Sequence, residues 1–245
     1  MTVALEQISA VVLAGGLGTR IKSLYPELPK PMISVGGRPF VEWVLRYLCQ
    51  QGIHRAILSC GYKAEAFANH FKTQTVPGME IRCLSEQSPQ GTAGGFLEAV
   101  TQSQESPEAW LVVNGDSLVL ADLKAATQFL SDPVAQGSLV GVEVTDTSRY
   151  GRILFDEAGR LLRFEEKRPG RGVINAGMYL FKPELLAQFP QRRPLSIETE
   201  VFPSLLSRQV HLQVSVTNAP FLDIGTPESL ALAEDFIRQN AQHFG

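Results

Sequence analysis

Short apolar runs rich in β-branched residues alternate with longer stretches of helical spacing through the first half of this chain. The apolar runs are residues 8–13, 55–59, 79–84 and 110–113. The stretches of helical spacing between them are residues 40–51, 64–71 and 93–101. Such alternation is typical of repeated strand–helix–strand units, whose strands are parallel and whose helices cover the sheet. The pattern predicts an α/β fold with a mainly parallel sheet flanked by helices.

The second half of the chain has a different pattern, with strands and little helix between them. The predicted strands are residues 139–144, 152–155, 161–164, 173–181 and 210–216. Asp156 to Gly159 has the composition of a hairpin turn, and Thr226-Pro227-Glu228 that of a helix start. We therefore expect an antiparallel extension of the sheet within a single domain of residues 1–245, whose halves meet at about residue 140.

The composition excludes several classes of protein. Of the 245 residues, 44% are hydrophobic and 19% are charged, as in ordinary folded proteins. The net charge of −3 offers no general attraction for nucleic acid or an anionic membrane. A run of about 18 apolar residues and a signal peptide are both absent, so we expect a cytoplasmic protein. Cys49, Cys60 and Cys83 lack a Cys-x-x-Cys spacing, which predicts reduced core thiols.

A glycine-rich loop, Gly15-Gly16-Leu17-Gly18-Thr19-Arg20, follows the first predicted strand. It is not a P-loop, because Arg20 stands where the second glycine of that motif belongs. It is not a dinucleotide-binding fingerprint either, because Ile21 replaces the third glycine. The glycines alone are equally compatible with a tight exit from the strand. An amide-lined loop with Arg20 in it, and with Lys30 on the proline-stiffened turn that follows, suits a triphosphate.

Two aspartates are candidates for binding a divalent cation beside that triphosphate. Asp116 follows the buried strand that ends at residue 113, and ligands of open parallel sheets lie beyond the carboxyl ends of the strands. Asp223 stands among apolar residues before a predicted helix start, where an aspartate more often caps a turn. One or two carboxylates suffice for Mg²⁺ when substrate phosphates supply further ligands. Asp223 therefore offers a second carboxylate for an ion held by Asp116.

Seven motifs follow one another along essentially the whole chain. They are Leu13-Ala14-Gly15-Gly16-Leu17-Gly18-Thr19-Arg20, Pro29-Lys30-Pro31-Met32, Gly91-Thr92-Ala93-Gly94, Asn114-Gly115-Asp116, Glu166-Lys167, Asn175-Ala176-Gly177 and Asp223-Ile224-Gly225-Thr226-Pro227. Together they resemble the motifs of the sugar-1-phosphate nucleotidyltransferases, the nucleoside-diphosphate-sugar pyrophosphorylases. Within that family the chain is most similar to the D-glycero-α-D-manno-heptose 1-phosphate guanylyltransferases. The segments that carry this finer resemblance are Ile21–Leu24, Asp146–Gly151, Ile174–Gly177 and Leu195–Glu198.

The resemblance implies a Rossmann-like, GT-A-like nucleotidyltransferase fold. Its first half would bind the nucleotide and its second half the sugar phosphate, and the chain would hold the transferase domain only. The implied substrates are a nucleoside triphosphate, GTP in the nearest subgroup, and D-glycero-α-D-manno-heptose 1-phosphate. The implied cofactor is Mg²⁺, and the implied product is an activated sugar for surface polysaccharide or lipopolysaccharide. Homodimerisation is an expectation from the family alone.

The same resemblance implies a role for each matching residue. Catalysis would depend on Arg20, Lys30 and Lys167, and Mg²⁺ would be shared by Asp116 and Asp223. The nucleotide would be bound by Leu13, Ala14, Gly15, Gly16, Gly18, Thr19, Arg20, Lys30, Gly91, Thr92 and Asn114. The sugar phosphate would be bound by Tyr150, Gly151, Glu166, Lys167 and Asn175.

Other functions on the same scaffold remain open at this point. The enzyme alternatives are a mannose-1-phosphate guanylyltransferase and a sugar-1-phosphate uridylyltransferase. The alternative from another class is a regulatory subunit that senses nucleotide sugars without catalysis. Because Arg20, Lys30, Asp116, Lys167 and Asp223 are all present, the set of charged residues favours an enzyme over such a sensor.

Overall fold

The computed structural model of this chain describes residues 3–16, 18, 20–21, 24–165 and 167–245. Two predicted site residues, Thr19 and Glu166, lie outside the described residues. Lys22 and Ser23, from the middle of the Ile21–Leu24 segment, also lie outside them.

Strands and helices alternate along the described chain. The strands are β1 (Ile8–Leu13), β2 (Ser34–Val35), β3 (Arg38–Pro39), β4 (Arg55–Cys60), β5 (Glu80–Ser85), β6 (Ala109–Asn114), β7 (Ser117–Val119), β8 (Gly137–Val144), β9 (Arg152–Phe155), β10 (Leu161–Glu165), β11 (Gly172–Phe181), β12 (Leu212–Thr217) and β13 (Phe221–Asp223). The α-helices are α1 (Phe40–Gln50), α2 (Ala64–Thr73), α3 (Thr92–Ser103), α4 (Leu123–Ala126), α5 (Phe202–Ser207), α6 (Pro227–Ala231) and α7 (Ala233–Gln239). Ile197–Val201 forms a single π-helical turn. Among the described helices, none has the length and apolar character that crossing a membrane requires.

One large mixed sheet contains strands from both halves of the chain. Its parallel part has β1 between β4 and β6, with β5 beyond β4. On the other side of β6, β11 pairs antiparallel, and its far edge pairs with β8, which carries β12. The hairpin of β9 and β10 joins the sheet where Arg152 pairs with Ile174 of β11. The predicted mainly parallel sheet with an antiparallel extension is confirmed.

Alternating side chains on the strands supply two hydrophobic cores, one on each face of the sheet. On β1, Ile8, Ala10 and Val12 belong to the core that contains the apolar faces of α1 and α2. Val11, between them, belongs to the other core, which contains α3 and α5. Because successive side chains of a strand point to opposite faces, the sheet buries both of its faces under helices. The result is three layers, with helices on each side of the central sheet.

Two elements differ from the sequence-based expectation. The strand predicted from residue 210 begins at Leu212, because the Val210 amide donates to Leu205 O at 3.0 Å and closes the end of α5. The last predicted helix is two short helices, α6 and α7. Thr226 caps α6 as expected, and its side chain accepts a hydrogen bond from the Ser229 amide.

A short antiparallel ribbon of β7 and β13 lies outside the main sheet and was not predicted from the sequence. It pairs Ser117 with Asp223, and the Ile224 amide donates to Asp116 O at 3.0 Å. Strands of three residues have too little pattern to be recognised in a sequence. The ribbon nevertheless brings the two candidate metal ligands, which are far apart in the chain, next to each other.

A buried charge cluster connects α1 with α2. The Glu42 carboxylate has only 3% of its side chain exposed, and it pairs with Arg38 at 2.6 Å, Arg46 at 3.1 Å and His70 at 3.1 Å. Burial alone would raise the pKa of Glu42, but hydrogen bonds from His70, Arg46 and Arg38 outweigh it, so that the pKa is lowered. The cluster therefore stabilises the packing of α1 and α2 on one face of the sheet.

We predict that Glu42→Ala lowers the free energy of unfolding at neutral pH by about 3 kcal/mol, because it removes one partner of a buried ion cluster. Glu65→Ala, on the exposed face of α2, is the control and is expected to change it by less than about 0.5 kcal/mol. A lowered pKa contributes stability above the unfolded-state pKa that is lost as pH falls. Urea denaturation should therefore show the difference shrinking towards acid pH, and equal effects of the two variants would contradict the prediction.

Candidate active site

A cavity of about 600 Å³ opens at the carboxyl ends of the parallel strands β1, β4, β5 and β6. Most of the predicted nucleotide-binding residues line it. Those residues are Leu13, Ala14, Gly15, Gly16, Gly18, Lys30, Gly91, Thr92 and Asn114. Asp116 lines the same cavity. The structure therefore brings together the glycine-rich loop, the start of α3 and one of the two candidate metal ligands.

Several residues of the cavity wall were missed by the sequence analysis. They are Pro31, Gly61, Tyr62 and residues 86–89. Glu86 accepts hydrogen bonds from Ser59 Oγ at 3.0 Å and from the Gln90 amide at 3.3 Å. The signal for Gly61 and Glu86 is their position, since each is the first residue after a parallel strand.

Lys30 forms an ion pair with Asp116, and the Nζ–Oδ2 distance is 2.6 Å. Only 13% of the Lys30 side chain is exposed, against 33% for Asp116. Lys30 begins a short 3₁₀ helix, Lys30–Met32, directly after Pro29, and a Cβ atom on Gly18 would lie 3.0 Å from Lys30 Cβ. In this arrangement the ammonium group that was expected at the triphosphate is the counter-ion of a candidate metal ligand.

Asp223 reaches the same place through the ribbon of β7 and β13. Its Oδ1 accepts a hydrogen bond from the Gly225 amide at 2.9 Å. Burial, together with the negative charge of Asp116, raises the pKa of Asp223, and Lys30 opposes this rise. Two carboxylates that repel each other with an ammonium group beside them form a site suited to a cation. Asp116 and Asp223 therefore fit a divalent ion of the Mg²⁺ type, which needs few protein ligands.

Tyr150 lies near Asp223 and near two arginines, Arg149 and Arg20. The Tyr150 ring packs edge-on against Phe221 of β13, with ring centroids 5.6 Å apart. Burial and the negative charge of Asp223 raise the pKa of Tyr150, and the positive charges of Arg149 and Arg20 offset only part of this rise. The Arg149 guanidinium lies 5.5 Å from the centre of the Tyr150 ring. Arg20 is exposed and does not line the cavity. Arg149 was missed as a candidate, because only Tyr150 and Gly151 of the Asp146–Gly151 segment were assigned a role.

Gly151 and Lys167 belong to two loops that contact each other. Thr147 Oγ1 donates to Arg168 O at 2.6 Å, which joins the loop before β9 to the loop after β10. A Cβ atom on Gly151 would lie 3.3 Å from Glu165 O, so the two backbones are close there. Lys167 is exposed and does not line the cavity. Lys167 therefore belongs to a loop that contacts the loop of Gly151, and it lies outside the cavity.

Asn175 lies in an irregular part of β11, where the pairing with β8 shifts register before Tyr179. Its Nδ2 donates to the Tyr179 hydroxyl at 2.8 Å, and its Oδ1 accepts from the Gly177 amide at 3.0 Å. Gly177 has a φ of 71°, and any Cβ there would collide with the Asn114 amide group. Asn175 is therefore adjacent to the part of the cavity that Asn114 lines. Bulges of this kind often re-aim side chains beside functional sites.

Comparison with protein families shows one match over most of the chain. Residues 9–240 match the family described as nucleotidyl transferase. A mannose-1-phosphate guanylyltransferase of Mycobacterium tuberculosis is 35% identical over 241 residues, which are 97% of this chain. The chain spans 65% of the length of that relative, less than two thirds. A D-glycero-α-D-manno-heptose 1-phosphate guanylyltransferase of Campylobacter jejuni is 33% identical, over 90% of this chain and 96% of its own.

Solved structures with the same fold are also similar in sequence. HddC from Yersinia pseudotuberculosis superposes with a TM-score of 0.83 at 32% identity, over 93% of this chain and 98% of that chain. A second crystal structure of HddC, described as complexed with GMP-PN, superposes with a TM-score of 0.81 at 33% identity and the same coverage.

We predict that Asp223→Asn stabilises the protein at neutral pH when a chelator removes divalent cations. Asn keeps an acceptor for the Gly225 amide but removes the repulsion with Asp116. The gain should be about 1 kcal/mol, the size typical of relieving one unfavourable charge contact. A carboxyl group with a raised pKa destabilises the fold once the pH is high enough to ionise it. The stability gained by Asp223→Asn should therefore vanish at acid pH, where Asp223 is protonated. Thermal unfolding with EDTA tests this, with Asp235→Asn on α7 as the control, and a destabilised Asp223→Asn would contradict it.

Proposed function

The chain belongs to the nucleotidyl transferase family, and we propose that it transfers a guanylyl group from GTP to a sugar 1-phosphate and releases pyrophosphate. The observation that carries this proposal is the meeting of the glycine-rich cavity with the Lys30–Asp116 ion pair. A nucleoside fits the cavity, and a triphosphate that extends from it would reach the charged groups. The guanylyl part is supported by similarity to relatives that are named guanylyltransferases.

For the acceptor we propose D-glycero-α-D-manno-heptose 1-phosphate. The proposal is supported by the 33% identity to the Campylobacter heptose 1-phosphate guanylyltransferase, together with the resemblance of Ile21–Leu24, Asp146–Gly151, Ile174–Gly177 and Leu195–Glu198 to that subgroup. Mannose 1-phosphate is the second candidate, because that relative has the slightly higher identity of 35%. The relatives described above are named guanylyltransferases, which favours GTP over UTP as the nucleotide. An activated heptose made in the cytoplasm would serve the synthesis of a surface polysaccharide.

The proposed reaction is an in-line displacement at the α-phosphorus of GTP. A phosphate oxygen of the sugar 1-phosphate bonds to that phosphorus, the bond to the α–β bridging oxygen breaks, and pyrophosphate leaves. Because the attacking oxygen is already an anion, no general base is needed, and catalysis consists of positioning and charge neutralisation. In this proposal Arg20 and Lys30 bind the triphosphate, and Lys167 binds the phosphate of the sugar.

We further propose that Asp116 and Asp223 hold a Mg²⁺ ion during this reaction. When bound, the ion would supply positive charge to the phosphate oxygens as negative charge develops on them. With that ion bound, positive charge in addition to that of Lys30 would lie beside Asp116, and the ammonium group of Lys30 would be available to a triphosphate in the same cavity. Arg149, beside Tyr150, adds a further positive charge at this end of the site.

A regulatory subunit that senses nucleotide sugars is the alternative from another class. A sensor needs the cavity but has no use for two mutually repelling carboxylates. The raised pKa of Asp223, caused by burial and by Asp116, is unfavourable for the fold unless a cation is to be bound there. This arrangement supports the enzyme over the sensor.

We predict that Asp116→Asn lowers kcat by about a hundredfold or more without unfolding the protein, since metal-assisted charge stabilisation is worth several kcal/mol. Pyrophosphate release measures kcat, and thermal unfolding checks the fold. Asp235→Asn is the matched control on an exposed helix and should leave kcat unchanged. A folded Asp116→Asn protein with near-normal kcat would exclude this residue as the metal ligand.

We also predict that kcat/KM with GTP is higher for the heptose than for mannose 1-phosphate. A site that hydrogen-bonds the hydroxyl of the seventh carbon leaves buried polar groups unpaired with mannose, which lacks it. Pyrophosphate release with each sugar, repeated with UTP, measures both preferences. Equal values for the two sugars would remove the support for heptose, and a preference for UTP would refute the guanylyl assignment.

A further inference from the structure

The segment Leu195–Glu198, noted in the sequence, packs directly against the start of α3 at the cavity wall. The Leu195 amide donates to Gln90 O at 2.7 Å, and Leu195 O accepts from the Ala93 amide at 2.9 Å. A Cβ atom on Gly91 would lie 2.5 Å from Leu195 O, so only glycine allows this approach. The π-helical turn that begins at Ile197 is of a rare kind that is frequent at functional sites.

The half-buried carboxylate of Glu198 accepts hydrogen bonds from three hydroxyl groups. Oε2 accepts from Thr92 Oγ1 at 3.2 Å and from Ser196 Oγ at 3.1 Å. Oε1 accepts from the Tyr179 hydroxyl at 2.9 Å. A carboxylate has no proton to give, and each hydroxyl has only one. Each of these hydroxyl protons is therefore directed towards Glu198.

The direction of the hydrogen bond from Tyr179 to Glu198 fixes the orientation of the Asn175 side chain. Because the Tyr179 hydroxyl donates to Glu198, it is free to accept from Asn175 Nδ2, which lies 2.8 Å away. The amide of Asn175 is thereby oriented, and its Oδ1 accepts from the Gly177 amide. Complete burial and the negative charge of Glu198 raise the pKa of Tyr179, which keeps this hydroxyl protonated. One N–H and one lone pair of Asn175 remain for a ligand.

The same direction determines what Thr92 offers to the cavity that it lines. Its proton goes to Glu198, and its oxygen accepts from the Ile197 amide at 2.8 Å. The remaining lone pair of Thr92 Oγ1 can accept a hydrogen bond but the group has no further proton to donate. A ligand beside Thr92 must therefore bring a donor.

We propose that Glu198 is a positioning residue that sets the direction of one continuous hydrogen-bond chain from Thr92 to Asn175. Through it, Thr92 presents an acceptor to a donor group of the nucleoside, a ribose hydroxyl or a base N–H. Through Tyr179, the same carboxylate presents an oriented Asn175 amide to the hydroxyl groups of the sugar phosphate. This proposal rests on the proposed function and identifies a residue that serves both substrates without touching either.

Glu198→Gln tests the proposal because it keeps the shape of the side chain and replaces one accepting oxygen with a donating NH₂ group. That group would turn the hydroxyls of Thr92 and Ser196 around. We expect GTP affinity, measured by equilibrium titration, to fall about tenfold, the equivalent of one lost hydrogen bond. The KM for the sugar 1-phosphate should rise as well. Glu200→Gln, on the same turn but bonded to Ser196 N and Arg192, is the matched control and should change neither value.

Tyr179→Phe separates the two arms of the chain. It removes the hydroxyl that joins Asn175 to Glu198 and leaves the hydrogen bonds of Thr92 to Glu198 and Ile197 in place, so the KM for the sugar 1-phosphate should rise while GTP affinity stays at the wild-type value. A Glu198→Gln protein with wild-type thermal stability, GTP affinity and sugar KM would overturn the proposal. So would a Tyr179→Phe protein that loses GTP affinity as strongly as Glu198→Gln. A wild-type protein that binds GTP but makes no product would refute the proposed function, whereas the titrations would still decide the role of Glu198.

Discussion

The pairing of β7 with β13 brings Asp223 next to Asp116, and the character of the site depends on this contact. Two neighbouring carboxylates repel each other unless positive charge lies beside them, and Lys30 supplies that charge through its ion pair with Asp116. Lys30 in turn packs beside the glycine-rich loop, where a Cβ on Gly18 would lie 3.0 Å from Lys30 Cβ. The ribbon thus brings the two candidate metal ligands, Lys30 and the glycine-rich loop together as one unit.

The arrangement places stability and function in opposition at one residue. Asp223 carries a raised pKa because it is buried beside another carboxylate, and the fold tolerates this contact rather than gaining from it. The large sheet and its two cores supply the rigidity that holds such a site together, as does the Glu42 cluster between α1 and α2. The repulsion between Asp116 and Asp223 is what the proposed cation would relieve.

Much of this structure follows from apolar spacing that stays regular over several residues of the sequence. The parallel strands, α1 to α3 and the hairpin of β9 and β10 were predicted because their apolar spacing is regular. Gly15, Gly16, Gly18 and Asp116 were also predicted, because they follow strands at one edge of the sheet. Gly61 and Glu86 were missed, although each directly follows a parallel strand. The ribbon was not predicted, since it depends on a contact between distant segments. Spacing likewise contains no information on the hydrogen-bond direction that Glu198 imposes.

Pyrophosphate release by the wild-type protein tests the central claim, that this chain is a guanylyltransferase, most directly. If the chain is a guanylyltransferase, GTP, a sugar 1-phosphate and Mg²⁺ together will yield pyrophosphate and a GDP-sugar in equal amounts. EDTA, or omission of the sugar phosphate, will abolish both products. A folded protein that binds GTP but releases no pyrophosphate with either heptose or mannose 1-phosphate would contradict the claim and favour a sensing subunit.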